Sequence, residues 1–349
     1  MVGSIPKTMK AVYFVKYNTP YEIKELPVPE IGDNDLLLKM GAAGFCHTDR
    51  QVWEGVYGTE CPIIPSHEPV GTVVKVGSKA QGKWKVGQRV GVLLFQHQCH
   101  ACLSCEVTND IRFCEKNGKA GLTHNGGMAE YMVADAESAV VLPDSVDFMQ
   151  GAPLMCAGAT VWAGILAAGI RPAEPVGIIG IGGLGSLAVQ FAKALGHPVV
   201  AIDDRTEGLE LAQEAGLKAD LTVDFNDKDA TEKIKKWAGK GGLPAIVCCT
   251  DDAPAIVWST KALRTFGVLI NLGLPATTIQ FEPFDLVFQE KTIKGSLVAT
   301  ITQVEEMMKI VDKFSIRSHV TTVTMDEAPK LPDMYMDPHL KGRLVLKMD

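Results

Sequence analysis

Hydrophobic and polar positions change rhythm once along this chain. Up to about residue 143, a segment rich in β-branched residues, short apolar runs at 11–15, 35–40, 71–76 and 89–94 are broken at close intervals by glycine and proline. Such punctuation predicts strands of a compact, mostly antiparallel β domain, and helical periodicity is scarce there. From about residue 150 to 295 strand-like and helix-like runs alternate, which is the pattern of βαβ units on a parallel sheet. Strands are expected at 176–179, 198–202, 245–249 and 268–272. A helix is expected over 184–195, with Leu187, Phe191 and Leu195 on one face. A shorter helix at 209–215 is expected to stop at Gly216 in a left-handed cap. The charged run 228–240, with Lys233, Lys235 and Lys236, reads as the solvated face of a surface helix. A last strand at 342–346 closes the chain back onto the first domain. The expected class is therefore α/β: a doubly wound, Rossmann-type parallel sheet spanning 153–295, and a mostly β domain built from 1–152 and 296–349.

The length of 349 residues agrees with two cores. A hydrophobic share of 46% and a charged share of 21% are those of an ordinary globular protein. The formal charge of −7 argues against nucleic acid as a partner. No eighteen residues run apolar without interruption, so no membrane association is expected. The amino-terminal residues show no signal-peptide core and neither end shows a lipidation signal, which makes the cytoplasm the expected location. Nine cysteines, four of them between 99 and 114, then point to metal rather than disulfides.

Three constellations carry chemistry. Cys46-His47-Thr48-Asp49 and Ser66-His67-Glu68-Pro69 bring a thiol, an imidazole and carboxylates into one segment, and Cys156 lies far downstream. Three protein donors on zinc leave one tetrahedral position open, as catalysis requires. Taken singly, each of these residues reads more readily as a packed or surface side chain than as a metal ligand. Gly180-Ile181-Gly182-Gly183-Leu184-Gly185 fits G-x-G-x-x-G between a predicted strand and helix, where Gly180, Gly182, Gly183 and Gly185 would cradle a pyrophosphate. Asp203, at the end of the next strand, is placed to hold ribose hydroxyls and favours NAD over NADP; Arg205 keeps NADP in play. Cys99, Cys102, Cys105 and Cys114 make a closed four-thiolate set suited to a structural zinc, with His97 and His100 as bystanders.

Together with Gly126-Gly127-Met128-Ala129-Glu130-Tyr131 and Cys156-Ala157-Gly158-Ala159-Thr160, these motifs make the whole chain resemble the zinc-dependent medium-chain alcohol dehydrogenases, closest to their tetrameric microbial branch. The resemblance implies a GroES-like catalytic domain beside the Rossmann domain. It implies two zinc ions per chain, the catalytic one on Cys46, His67 and Cys156 with Glu68 able to approach it. His47 and Arg343 would face the cofactor pyrophosphate, and Thr160, Leu272 and Val298 the nicotinamide. Thr48 would pass the hydroxyl proton onward. Tyr57 and the stretch 93–95 would line an apolar slot for a primary or aromatic alcohol or aldehyde. A homo-oligomer, by likeness a tetramer, is implied.

Four positions depart from that family's pattern. Gln51 stands where a titratable His is usual in the proton relay. Ser66 replaces a glycine, the span from Cys105 to Cys114 is one residue longer than usual, and Gly208 replaces a lysine after the ribose-binding acid. The readings weighed against an NAD-dependent dehydrogenase are an NADP-dependent polyol or enone reductase and a non-catalytic nucleotide-binding scaffold. The zinc donor set counts against the enone reading and against the scaffold.

Overall fold

The computed structural model describes residues 4–348; residues 1–3 and Asp349, assigned above to the ends of the first domain, lie outside the described residues. The chain divides into two compact units. The first runs to Cys156 and takes in Thr300–Lys309 and the chain from Val320 onward; the second comprises Ala157–Ala299 and Ile310–His319. Residues 310–319 therefore belong with the second unit rather than the first. The reason is visible at Gln190, whose side chain donates to the Arg317 carbonyl (2.8 Å) and accepts from the Arg317 amide (3.1 Å).

In the first unit, β1 (Thr8–Tyr13) and β2 (Glu22–Pro27) form an antiparallel pair. Then come β3 (Asp35–Phe45), β4 (Glu68–Val76), β5 (Arg89–Val92), the short pair β6 (Phe95–Gln96) and β7 (Gly118–Lys119), β8 (Tyr131–Asp135) and β9 (Ala139–Val141). Strand β3 is the spine. It pairs antiparallel with β4 and β8, and its register with β4 shifts twice, at Leu37/Leu38 and Met40/Ala42. Such bulges bend the strand and increase its twist. Leu36, Leu38, Phe45 and Val73 are fully buried beneath it, each worth about 1.5–3 kcal/mol in burial.

The second unit holds β10 (Val176–Ile179), β11 (Val199–Asp203), β12 (Leu221–Asp224), β13 (Leu243–Cys248), β14 (Leu263–Asn271) and β15 (Thr292–Gly295). All pair in parallel, in the order β12-β11-β10-β13-β14-β15, the doubly wound order that reverses beside its first strand. The chain then returns through β16 (Val320–Val323) and β17 (Arg343–Lys347) to the first unit's sheet, where β17 pairs with β3.

The helices that matter for the site are α1 (His47–Glu54), α2 (Leu103–Thr108), α3 (Phe148–Pro153), α4 (Ala159–Ala167), α5 (Gly185–Ala194) and α6 (Thr206–Glu214). Gly216 does not cap α6 in the left-handed region. Ala215 leaves the helix extended (φ −73°, ψ 162°), and the chain heads directly for β12. The charged run becomes the helix Ala230–Ala238, with Ile234 buried and Lys233 exposed. The helical stretch Phe148–Ala167, interrupted by Gln150 and Thr160, has the length and composition to cross a bilayer. It is 72% buried inside the protein, as a core helix is.

Candidate active site

The register of three strands brings the first donors together. Gly44 on β3 faces Glu68 on β4, and Phe45 faces Leu344 on β17. The residue after β3 (Cys46), the residue before β4 (His67), the first residue of β4 (Glu68) and the first of β17 (Arg343) thus converge at one end of the sheet. Cys156 arrives in a π-helical segment, Leu154–Gly158, that follows α3. Such wide turns shift side chains out of the ordinary helical register and recur at functional sites. Donor atoms of Cys46, His67, Glu68 and Cys156 all lie within 4.8 Å of one another, and His67 Nε2 is 3.2 Å from Cys156 Sγ.

Asp49 organises this cluster, a part the sequence reading did not assign to it. Its Oδ2 accepts from the Cys46 amide (3.0 Å) and its Oδ1 lies 3.2 Å from His67 Nδ1. One buried carboxylate therefore closes the first turn of α1 and holds the imidazole with Nε2 toward the thiols. The spacing Cys46-x-x-Asp49 is that of a capping box, and this was the signal available in the sequence. Burial opposes a charge on His67, yet Asp49 and the Cys46 thiolate outweigh it and hold its pKa well above the usual value. The hydrogen bond with Cys156 lowers the Cys46 pKa strongly and raises that of Cys156, so the pair readily shares one proton.

Glu68 and Arg343 form a fully buried ion pair behind the donors. Burial pushes Glu68 up to about 8, with the Arg343 charge pulling against it. Glu68 Oε2 has no hydrogen-bond partner, and Arg343 Nε has none either. Gly44 is required here: a Cβ on it would sit 1.9 Å from Glu68 Oε2. Arg343, assigned above to the pyrophosphate, is thus committed to Glu68 by one end of its guanidinium. Ser66 also finds its reason. It adopts φ 80°, where glycine is at ease, and its hydroxyl donates to the Gly44 carbonyl (2.7 Å) and accepts from the Glu68 amide (3.2 Å). Two hydrogen bonds at the junction of β3 and β4 offset the backbone strain.

Around the cluster, the Tyr57 hydroxyl donates to Gln51 Oε1 (2.7 Å) and is also hydrogen-bonded to the Thr48 side chain. Leu93 and Phe95 are buried, Leu94 half-buried and Tyr57 exposed. His47 is exposed beside Tyr335, their rings 6.0 Å apart.

The second thiol group is Cys99, Cys102, Cys105 and Cys114, again within 4.8 Å. The longer span between Cys105 and Cys114 is absorbed where α2 ends on Asn109 in the left-handed region (φ 46°) and a 3-10 turn, Ile111–Phe113, follows. Backbone N–H groups of Glu115 and Cys105 pull Cys102 down to about 6, while burial pushes Cys105 up to about 11. His97 and His100 stay outside the group, paired to Asp35 (3.0 Å) and Glu137 (3.4 Å).

In the second unit, β10 runs into Gly180 at φ 82°, and the turn leads into α5. A Cβ on Gly185 would come within 2.2 Å of the Gly180 carbonyl, so the last glycine lets helix and strand close on each other. Asp203, at the end of β11, is buried and accepts from the Ile181 amide (2.5 Å) and the Arg205 amide (2.9 Å). Leu272 packs against Gly164 on α4, one turn from Thr160. Val298 sits at φ 42°, a costly conformation for a β-branched residue and one found at functional sites.

Comparison with known proteins settles the family. Residues 32–144 match the family model "Alcohol dehydrogenase GroES-like domain" and residues 183–313 match "Zinc-binding dehydrogenase". An alcohol dehydrogenase of Geobacillus stearothermophilus is 35% identical over 98% of this chain and 100% of its own. The chain belongs to the zinc-dependent medium-chain alcohol dehydrogenase family. Among solved structures, a putative zinc-binding dehydrogenase from Sinorhizobium meliloti 1021 bound to NADP superposes with a TM-score of 0.88 (27% identity, 98% of this chain and 100% of that one). A cinnamyl alcohol dehydrogenase of Sorghum bicolor does so at 0.85 (25% identity, 98% of each chain). Membership makes the protein a zinc-binding oxidoreductase of alcohol dehydrogenase type, acting on small molecules with a nicotinamide cofactor. The donors fit the metal: two thiols, an imidazole oriented through its other nitrogen, and a buried carboxylate oxygen that lacks a partner.

Proposed function

We propose that this dehydrogenase interconverts a primary or aromatic alcohol and its aldehyde with NAD, at a catalytic zinc held by Cys46, His67 and Cys156, with a second, structural zinc on Cys99, Cys102, Cys105 and Cys114. The observation that carries the reading is the gathering of two thiols and an imidazole, with Asp49 fixing the imidazole from behind. A zinc held by these residues would supply a Lewis acid for the substrate oxygen, and a bound nicotinamide would supply the hydride acceptor or donor. The rest is the work of the chain itself. Asp49 keeps His67 in the tautomer that offers Nε2. Thr48 takes the hydroxyl proton, and Gln51, which accepts from the Tyr57 hydroxyl, does not store it, because an amide does not titrate. Glu68 supplies a carboxylate whose charge Arg343 balances. Gly180, Gly182, Gly183 and Gly185 leave room for a pyrophosphate at the start of α5, and the buried pair Leu93 and Phe95 favours an apolar substrate over a polyol.

A homo-oligomer is supported by the free edge of β15 and the exposed Leu274, Phe284, Val287 and Phe288, with the two phenylalanine rings stacked 4.3 Å apart. An open strand edge flanked by apolar surface suits isologous pairing with a second copy. A cytoplasmic location is supported by the grouping of free thiols as metal donors.

The reading is tested by assaying primary, aromatic and secondary alcohols with NAD before chelation, after it, and after zinc is restored. Aromatic and primary alcohols should lead, and activity should vanish and return with the metal. Full activity in metal-free protein would overturn the proposal.

A further inference from the structure

We infer that Arg205, and not Asp203, reads the 2′ position of the adenosine ribose in this chain, so that the protein accepts NADP as well as NAD. The inference rests on the dehydrogenase reading above and refines it. An acid at the end of the second strand selects NAD because its free carboxylate accepts from the ribose hydroxyls and repels a 2′-phosphate. Asp203 is poorly placed for either task. It is 5% exposed, its Oδ2 accepts from the Ile181 amide at 2.5 Å, and its Oδ1 accepts from the Arg205 amide at 2.9 Å and Arg205 Nε at 3.4 Å.

The cause is Gly208. A Cβ there would stand 2.4 Å from Asp203 Cγ and 2.5 Å from its Oδ2. With no side chain at that position, the carboxylate lies back against the first turn of α6, where two amides and a guanidinium absorb its charge. Arg205 by contrast is 39% exposed, and its Nη2 lies 3.8 Å from the point a Cβ on Gly182 would occupy. The guanidinium therefore stands between the end of β11 and the glycine turn, the space in which this kind of sheet holds the adenosine ribose. Its planar fork matches a phosphate. Asp204, exposed beside it, carries the opposite charge and tempers that attraction. The balance gives acceptance of both cofactors rather than exclusive use of NADP.

The test uses adenosine 2′,5′-bisphosphate and 5′-AMP as probes, titrated calorimetrically into the full chain, with NAD-linked turnover measured in parallel. The bisphosphate should bind about tenfold more tightly than AMP. Arg205→Ala should erase that advantage, and Arg205→Lys, which keeps the charge without the fork, should retain part of it. Gly208→Ala, in protein shown folded by circular dichroism, should lower the ratio by pushing the carboxylate toward the ribose. An AMP preference in the unmodified chain, or a ratio indifferent to Arg205→Ala, overturns the inference. Rejection of the bisphosphate by protein that turns over NAD overturns it alone, whereas failure to bind either probe overturns it together with the dehydrogenase reading.

Discussion

The two thiol clusters of this protein have opposite relations to their surroundings. Cys46, His67 and Cys156 are placed by elements that are stable for other reasons: the end of β3, the start of β4, and a π-helical turn after the buried helix α3. Asp49, Ser66 and the Glu68–Arg343 pair then hold them from behind. In the lobe that carries Cys99, Cys102, Cys105 and Cys114, the buried cluster consists of the cysteines themselves, while Leu103, Val107 and Phe113 face solvent. A segment with so little apolar burial does not hold its shape unaided, so the metal proposed there would supply folding free energy. On the proposed assignment, the fold would position the metal at the first site, and the metal would position the fold at the second.

Four experiments sharpen or break that contrast. The largest effect belongs to Cys46→Ala, which should cut turnover by about a thousandfold or more while the thermal midpoint moves by only a few degrees. A melting transition that collapses with the activity would erase the distinction. Next is Cys114→Ser. Amide exchange across residues 97–119 should rise to that of an open chain while β3 and β4 stay protected, and uniform protection would show a lobe that stands without its fourth thiol. Acidification belongs to the same test. Cys102 is held at about 6, so its thiolate persists above that pH and proton competition sets in below it. Cys105, pushed up to about 11, must release a proton to bind zinc throughout the working range, so the lobe's zinc affinity should fall with falling pH and fall more steeply below about 6, read by competition with a chromogenic chelator.

Asp49→Asn comes third. It leaves all donors in place but weakens the grip on His67, and should cost about 10–100-fold in catalytic zinc affinity with the lobe's zinc retained. Equal loss at both sites would point to general unfolding. The smallest change is expected from Gln51→His. A titratable group bonded to Tyr57 should add an ionisation to the pH profile of kcat and raise the rate a few-fold, about the low end of general acid–base effects. An unaltered profile would place Gln51 off the proton path.

Much of this was readable in the chain. Short apolar runs at 35–40, 71–76 and 176–179, the last two rich in β-branched residues, are strong enough to place β3, β4 and β10, and the glycine motif marks the turn into α5. Less was readable where a residue acts through a neighbour distant in sequence. Ser66 looked like an unexplained replacement of glycine until its hydroxyl was seen to bridge Gly44 and Glu68. Gly208 looked like a missing lysine, and proves to be the space that lets Asp203 withdraw.

Composition, periodicity and cysteine spacing are local properties, and they determined the two-part architecture, the donor types and the nucleotide turn. Register is not local. Only the pairing of β3 with β4 and β17 decided that Glu68 meets Arg343 and that Asp49 reaches His67, because a side chain's partner depends on which strands lie side by side, and a one-residue slip of β4 or β17 would turn Glu68 or Arg343 to the opposite face.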